Sequence, residues 1–134
     1  MSWDAYVTGP TGLIARSGQH IESAGIYGIN GVTWAQSGLD NLNTEELTTL
    51  NYIFDDPSSA QASGFTLNGQ QFALLRVDDE TILQARGKNG QTNPLTIQKT
   101  NQAFIIGKGK LDGLPGSVSC AVSHIGEYLK GVGY

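Results

Sequence analysis

Between residues 65 and 107 the chain alternates short β-prone segments with turn sequences, and this pattern constrains the fold more than any other feature. Turns such as Asn68-Gly69 and Asn101-Gln102 separate the segments. Four strands are predicted at residues 70–77, 81–86, 95–100 and 103–107. Parallel strands need crossovers of about a dozen residues or more. Such short connections therefore predict an antiparallel meander.

The part of the chain before the meander is predicted to contain a short helix and a β-hairpin. The helix has Ser2 as its candidate cap and ends at Gly9-Pro10. Its apolar residues at helical spacing are Trp3, Tyr6 and Val7. Residues 24–29 and 32–36 are β-prone and are joined by Asn30-Gly31. Because Asn-Gly is a strong hairpin signal, Trp34 is expected on a strand near that turn.

Two longer helices are predicted on either side of the meander. The first begins at residues 43–46, where a capping residue precedes a carboxylate. Its apolar stripe is Leu47, Leu50, Ile53 and Phe54. The second begins after Pro115-Gly116 with Ser117 as its candidate cap. Its apolar stripe is Val118, Ala121, Val122, Ile125, Leu129 and Val132, and this stripe leaves Tyr128 half exposed at its edge.

Length and composition favour one globular domain spanning residues 1–134. Apolar residues make up 39% of the chain and charged residues 15%, which suits a folded domain. Cys120 is the only cysteine, so no intrachain disulfide is expected and a reducing cytosol is favoured. We find neither a secretory leader nor an apolar run of membrane-spanning length. A soluble, cytoplasmic monomer is expected.

The net charge of −4 is unevenly distributed. Residues 1–60 hold a single base, Arg16, whereas residues 76–110 are rich in bases. Those bases are Arg76, Arg86, Lys88, Lys99, Lys108 and Lys110. A locally basic sheet face would suit an acidic protein partner or an anionic lipid surface, although solvated strand positions explain any single lysine equally well. The acidic total disfavours nucleic acid.

No residue pattern indicates catalysis, a metal or a cofactor. Residues 107–110 resemble a phosphate loop but lack its full spacing. His20 and His124 belong to no nucleophile or metal spacing. Cys120 is predicted to be a buried or half-buried structural thiol. We therefore expect a protein that is not an enzyme and that has neither a cofactor nor a metal.

Aromatic residues occur near both ends of the chain, where polar residues are more usual. Trp3 and Tyr6 lie near the start, and Tyr128 and Tyr134 near the end. Chain ends are poorly ordered unless something holds them, and Trp and Tyr combine apolar area with a polar group. The two ends are therefore predicted to pack side by side and to present an aromatic surface to a partner.

These features together resemble the profilin family over the whole chain. The resemblance rests on Met1-Ser2-Trp3 with Tyr6-Val7, residues 24–28 followed by Trp34-Ala35, residues 83–90, Gln98-Lys99-Thr100 leading into residues 103–107, Pro115-Gly116, and residues 125–129. It implies an α+β fold in which a central antiparallel sheet has the N- and C-terminal helices on one face and shorter helices on the other. It also implies binding of monomeric actin, regulation of actin polymerisation and nucleotide exchange, binding of proline-rich partners such as formins, and phosphoinositide binding in many members.

The resemblance also implies three sets of site residues. The proline-binding set is Trp3, Tyr6, Trp34, Tyr128 and Tyr134. The actin-binding set is Arg76, Arg86, Lys88, Lys99, Thr100, Ser117, Cys120 and His124. The phosphoinositide set is Arg76, Arg86, Lys88, Lys108 and Lys110.

The sequence departs from the family pattern in two places. Residues 8–22 form a longer segment than usual, and residues 107–110 replace the tyrosine that many members have after this strand. These differences favour a member from a single-celled eukaryote. A small-molecule sensor domain with a PAS-like meander would share the architecture and remains the alternative.

Overall fold

The computed structural model describes residues 3–10, 12–29, 31–38, 44–67, 69–78, 81–88, 90, 93–111 and 113–134. In these ranges the helices are α1 (Ala5–Thr8), α2 (Leu13–Arg16), α3 (Thr44–Asp55), α4 (Ser58–Ser63) and α5 (Pro115–Gly131). The strands are β1 (Ile21–Gly28), β2 (Thr33–Ser37), β3 (Phe65–Leu67), β4 (Gln70–Asp78), β5 (Ile82–Gly87), β6 (Pro94–Lys99) and β7 (Ala103–Gly109).

The strands form one antiparallel sheet in the order β2-β1-β7-β6-β5-β4-β3. Strands β3 to β7 follow one another as the predicted meander, and β1 closes against β7, with Ile26 opposite Ile105. The hairpin between β1 and β2 turns through Gly31, whose φ of 101° lies in the region that favours glycine. The sheet thus places β1, from the first part of the chain, directly beside β7, from the last part.

Each face of the sheet is covered by a separate apolar core. On one face, α3 and α4 pack over side chains that include Tyr27, Leu83 and Phe104. On the other, α1, α2 and α5 pack over Ile26 and Ile105. We call these the α3 face and the α5 face. The arrangement confirms the predicted α+β fold, with the terminal helices together on one side of the sheet.

Several local predictions differ from the structure. One turn of helix, α2, lies between the predicted first helix and the predicted hairpin, where no element is expected, and its Leu13 is fully buried in the core of the α5 face. Helix α4 also has no counterpart in the prediction. Helix α5 begins at Pro115, so Ser117 lies inside it and does not cap it. Proline suits this first position since its φ is already helical and the missing N–H would have no helical partner. The cap predicted at Ser2 lies outside the described residues.

Candidate functional site

Five aromatic rings from four parts of the chain meet at one end of the α5 face. The ring centroid of Trp3 lies 4.7 Å from that of Trp34, 5.0 Å from that of Tyr134 and 5.6 Å from that of Tyr6. Tyr6 is 5.9 Å from Tyr128, and Trp34 is 5.9 Å from Tyr134. We call these five residues the aromatic cluster. They are the residues that the sequence predicts for proline binding.

The local folding of each element explains how the cluster forms. One helical turn brings Trp3 and Tyr6 to the same side of the chain, where the amide of Tyr6 donates to the carbonyl of Trp3. Trp3, Tyr6 and Trp34 are partly buried against the core of the α5 face. Tyr128 and Tyr134 keep 49% and 38% of their surface exposed. The cluster therefore has a fixed apolar base and an open outer surface.

The cluster also carries polar groups. The pKa of Tyr6 is raised above 10.0, first because burial disfavours the phenolate, then because its hydroxyl is hydrogen-bonded to Tyr128, and because phenolates at Tyr128 and Tyr134 would repel it. The raised pKa keeps the Tyr6 hydroxyl protonated to a higher pH than in a free tyrosine, and the hydroxyl of Tyr6 is joined to that of Tyr128.

The bases predicted to form one basic face are divided between the two faces of the sheet and the ends of its strands. Arg76 lies opposite Gln84, and Arg86 lies two residues further along β5. Since paired and alternate residues share a face, both arginines belong to the part of the α5 face formed by β4 and β5. Lys99 lies opposite Phe104, on the α3 face, and its Nζ donates to Oδ1 of Asn51 at 2.7 Å. The single basic face is therefore a wrong prediction.

Of the other predicted bases, Lys88 and Lys108 contact neighbouring residues through their ammonium groups, and Lys110 is exposed. The Nζ of Lys88 donates to the carbonyl of Ser63 at 3.0 Å, at the end of α4. The Nζ of Lys108 lies 3.4 Å from Oε1 of Glu22 and donates to Gln70 at 3.3 Å. Lys110 is exposed just after β7. Arg76 pairs with Asp78 at 3.0 Å, with both side chains well exposed.

Thr100, which the family resemblance assigns to actin binding, lies in the turn between β6 and β7. It is 5% exposed, and its hydroxyl donates to the main-chain oxygen of Tyr134 at 3.0 Å. Thr100 is therefore joined to the segment that carries the aromatic cluster, while the neighbouring Lys99 points to the α3 face.

The three residues predicted on α5 border two hollows on the α5 face. Ser117 and Cys120 border a hollow with Arg16 and His20, beside α2, and His124 borders another with Tyr6 and Tyr128. Cys120 is exposed, so the expectation of a buried thiol is wrong.

Helix α5 instead meets strand β5 through a residue that the sequence analysis missed. The Nε2 of Gln84 donates to the hydroxyl of Ser119 at 2.8 Å. Leu75, which is 53% exposed, was missed as well. It lies where the register between β4 and β5 shifts, and this bulge could not be located from alternation alone. Leu75, Gln84 and Ser119 thus share a region with Arg76 and Arg86.

The described residues include no group of three or more His, Cys, Asp or Glu side chains that could hold a metal ion. No helix in the same ranges is long and apolar enough to cross a membrane.

Comparison with known proteins identifies the family. The profilin family model matches residues 1–134, the whole of the chain. The chain belongs to the profilin family. Its structure is similar to that of Acanthamoeba castellanii profilin IB, with a TM-score of 0.82 and 30% identity over 99% of this chain and 100% of the other. Schizosaccharomyces pombe profilin gives a TM-score of 0.80 and 28% identity, with the same coverage.

A mammalian profilin shares the fold at lower identity. Mouse profilin IIa, whose structure was solved in complex with a double repeat from the FH1 domain of mDia1, matches with a TM-score of 0.75 and 17% identity. The match covers 85% of this chain and 89% of the mouse chain. The departure from the family pattern in residues 8–22 thus leaves the profilin fold intact.

Proposed function

We propose that this profilin binds proline-rich segments of partner proteins such as formins, binds monomeric actin, and thereby regulates actin polymerisation and nucleotide exchange in the cytoplasm. It would do so as a binding protein of the cytoskeleton, without catalysing a reaction of its own. The observation that carries the proposal is the aromatic cluster, in a chain whose family is known. The mouse profilin solved with an FH1 repeat supports the choice of ligand.

The geometry of the cluster suits a polyproline II helix. Tyr128, Tyr6, Trp3 and Trp34 form a row in which neighbouring centroids are 4.7 to 5.9 Å apart. One turn of such a helix rises about 9 Å, so the row would contact between one and two turns. Pyrrolidine rings would pack against the aromatic faces, and the unpaired carbonyls of the helix would accept hydrogen bonds from tyrosine hydroxyls and indole N–H groups. The ligand is already extended, so it loses little entropy on binding.

Retention on immobilised polyproline tests this proposal directly. The folded protein should be retained at moderate salt, since the contacts are mostly apolar, and should be released by free decaproline. Passage through the column without retention, with the fold confirmed by circular dichroism, would refute the proline-binding function.

For actin, we propose the region of the α5 face formed by β4, β5 and the N-terminal half of α5. Arg76 and Arg86 supply positive charge there, and the exposed Leu75 supplies apolar area. The hydrogen bond from Gln84 to Ser119 fixes the helix against the strands. This proposal retains the two arginines of the family-derived set and gives Lys99 and Thr100 other roles.

Replacing Arg86 by glutamate is expected to weaken binding of monomeric actin by on the order of tenfold, because a like charge would then face an acidic partner surface. Lys99→Glu makes the same change in net charge on the opposite face of the sheet and is the matched control. Sedimentation or fluorescence titration with monomeric actin measures both. Equal weakening by the two variants would mean that net charge, and not this region, governs the affinity.

Phosphoinositide binding is a further proposal. Arg76 and Arg86 share one region, but Arg76 pairs with Asp78. Lys88 and Lys108 are engaged by Ser63 and Glu22, and Lys110 lies elsewhere. Each base near an anionic surface contributes about 1 kcal/mol. Vesicles containing phosphoinositides should therefore bind the protein weakly and release it as salt rises; binding that persists at high salt would contradict an electrostatic origin.

The packing of the core on the α3 face does not favour the alternative, a small-molecule sensor domain. Such a domain needs a polar pocket between its sheet and helices. In the described ranges, buried side chains that include Tyr27, Phe72 and Phe104 form the core of the α3 face, and the cavity of about 340 Å³ on this face lies between α3, α4 and β3.

A further inference from the structure

We propose that the turn between β6 and β7 acts as a clasp that holds Tyr134 in the aromatic cluster, with Thr100 and Gln102 as positioning residues for proline binding. The clasp comprises the hydrogen bonds from these two residues to the main chain of residues 133 and 134. The inference rests on the proposed proline-binding function and assigns Thr100 to that site, away from the actin region.

The hydroxyl of Thr100 has one proton, and the surrounding bonds determine where that proton goes. The carbonyl of Ala103 already accepts the amide of Thr100 at 2.8 Å. The hydroxyl is 3.3 Å from that carbonyl and 3.0 Å from the main-chain oxygen of Tyr134. Each oxygen also accepts one backbone amide, so the shorter distance assigns the proton to Tyr134. The hydroxyl oxygen in turn accepts the amide of Ala103 at 3.1 Å, so one side chain joins the turn to the segment carrying Tyr134.

Gln102 adds two further bonds to the same segment. Its amide donates to the main-chain oxygen of Tyr134 at 2.6 Å, and its side-chain Nε2 donates to the carbonyl of Gly133 at 3.1 Å. The amide of Tyr134 donates to the carbonyl of Leu129 in α5 at 2.8 Å. Tyr134 is thus held through both its N–H and its main-chain oxygen.

Fixing the main chain matters because the ring of Tyr134 meets the cluster edge-on. Its plane is at 90° to that of Trp3 and at 78° to that of Trp34. Edge-to-face contacts depend on orientation, and an untethered end would sample many orientations. The clasp orders Tyr134 when the protein folds. The conformational entropy of this residue is therefore already lost before the ligand binds, and ordering it does not weaken binding.

The decisive variant is Thr100→Val, which removes the hydroxyl at nearly constant shape. The variant loses two hydrogen bonds, one to the main-chain oxygen of Tyr134 and one from the amide of Ala103. We expect its affinity for decaproline to fall about fivefold, the effect of losing the bond that holds Tyr134. Thr96→Val is the matched control: Thr96 is equally buried on β6, but its hydroxyl donates to Gln84 at 2.8 Å and has no contact with the cluster. Thr96→Val should bind decaproline like the parent, and Thr100→Ser should restore most of the affinity.

A double-mutant cycle separates positioning from a general loss of stability. In a Tyr134→Ala background, Thr100→Val should change decaproline affinity by less than about twofold, because its effect passes through the missing ring. Amide exchange at Gln102 should also accelerate in Thr100→Val.

Gln102 provides a second variant. Its side chain is exposed, so Gln102→Ala should not disturb folding. The variant should weaken decaproline binding by about twofold, because it loses the hydrogen bond to Gly133.

The results distinguish the clasp from the proposed function. Failure of the parent protein to bind decaproline overturns both. If the parent binds and Thr100→Val and Gln102→Ala bind equally well, the clasp is wrong while the proline-binding function stands. An undiminished effect of Thr100→Val in the Tyr134→Ala background also overturns the clasp.

Discussion

Replacing Trp3 by alanine should reduce the affinity for decaproline by about 2 kcal/mol or more, the scale of an aromatic hot spot and a factor of about thirty. Trp3 contacts three of the other four rings, so its loss removes the ligand contact and the support of its neighbours. Trp34→Ala should show a loss of similar scale. Isothermal titration calorimetry measures both without depending on tryptophan emission.

Two further variants test the specificity of this effect. Trp3→Phe keeps a ring against the base of the cluster and should retain part of the affinity. Tyr52→Ala removes an exposed tyrosine on α3, on the opposite face of the sheet, and should leave decaproline binding unchanged. Binding of monomeric actin should persist in Trp3→Ala. Parent-like decaproline affinity in a folded Trp3→Ala protein would refute the assignment of the cluster.

The largest expected loss of stability follows from Phe104→Ala. Phe104 is fully buried on β7 at the centre of the sheet, and its ring stacks on Phe54 of α3 at 5.8 Å. Truncating such a ring typically lowers the free energy of unfolding by about 3 to 5 kcal/mol, because it removes apolar burial and leaves a cavity. A domain of this size is stable by only about 5 to 15 kcal/mol, so much of that reserve would be lost.

Urea unfolding followed by circular dichroism measures this loss through the shift in midpoint. Phe104→Leu preserves most of the volume and should cost less than about 1.5 kcal/mol. A midpoint for Phe104→Ala equal to that of the parent would show that the core relaxes to fill the space, contrary to the expectation from burial.

The family resemblance supplies the five residues of the aromatic cluster, and local spacing explains why four of them can be placed in the fold from the sequence. Trp3 and Tyr6 are one helical turn apart, Trp34 follows a strong turn signal, and Tyr128 lies at the edge of a long apolar stripe. The meander is predictable for a similar reason, since its turns are short and explicit. Helix α2 is not predictable in this way, because its four residues contain no pair of apolar side chains three or four positions apart.

The face occupied by each basic residue is harder to predict. Neighbouring residues of a strand point to opposite faces, and one displaced residue reverses the assignment of all that follow. The sequence gives neither the strand register nor the bulge at Leu75, so it cannot show that Lys99 lies on the other face from Arg76 and Arg86. Strand β6 gives no alternation to guide the choice, because Leu95 to Gln98 are all buried by helices on both sides. The partner of Thr100 is a main-chain atom, which no side-chain pattern indicates.

The pairing of β1 with β7 has a consequence for the order in which binding surfaces arise during folding. Strands β4, β5 and β6 are neighbours in sequence, so they can associate through short loop closures. The aromatic cluster needs α1, β2 and the end of α5 together, and these meet only when the long loop between β1 and β7 has closed. On the ribosome, residues 3 and 34 emerge long before residue 134. Proline-rich partners would therefore recognise only a chain whose two ends have already met.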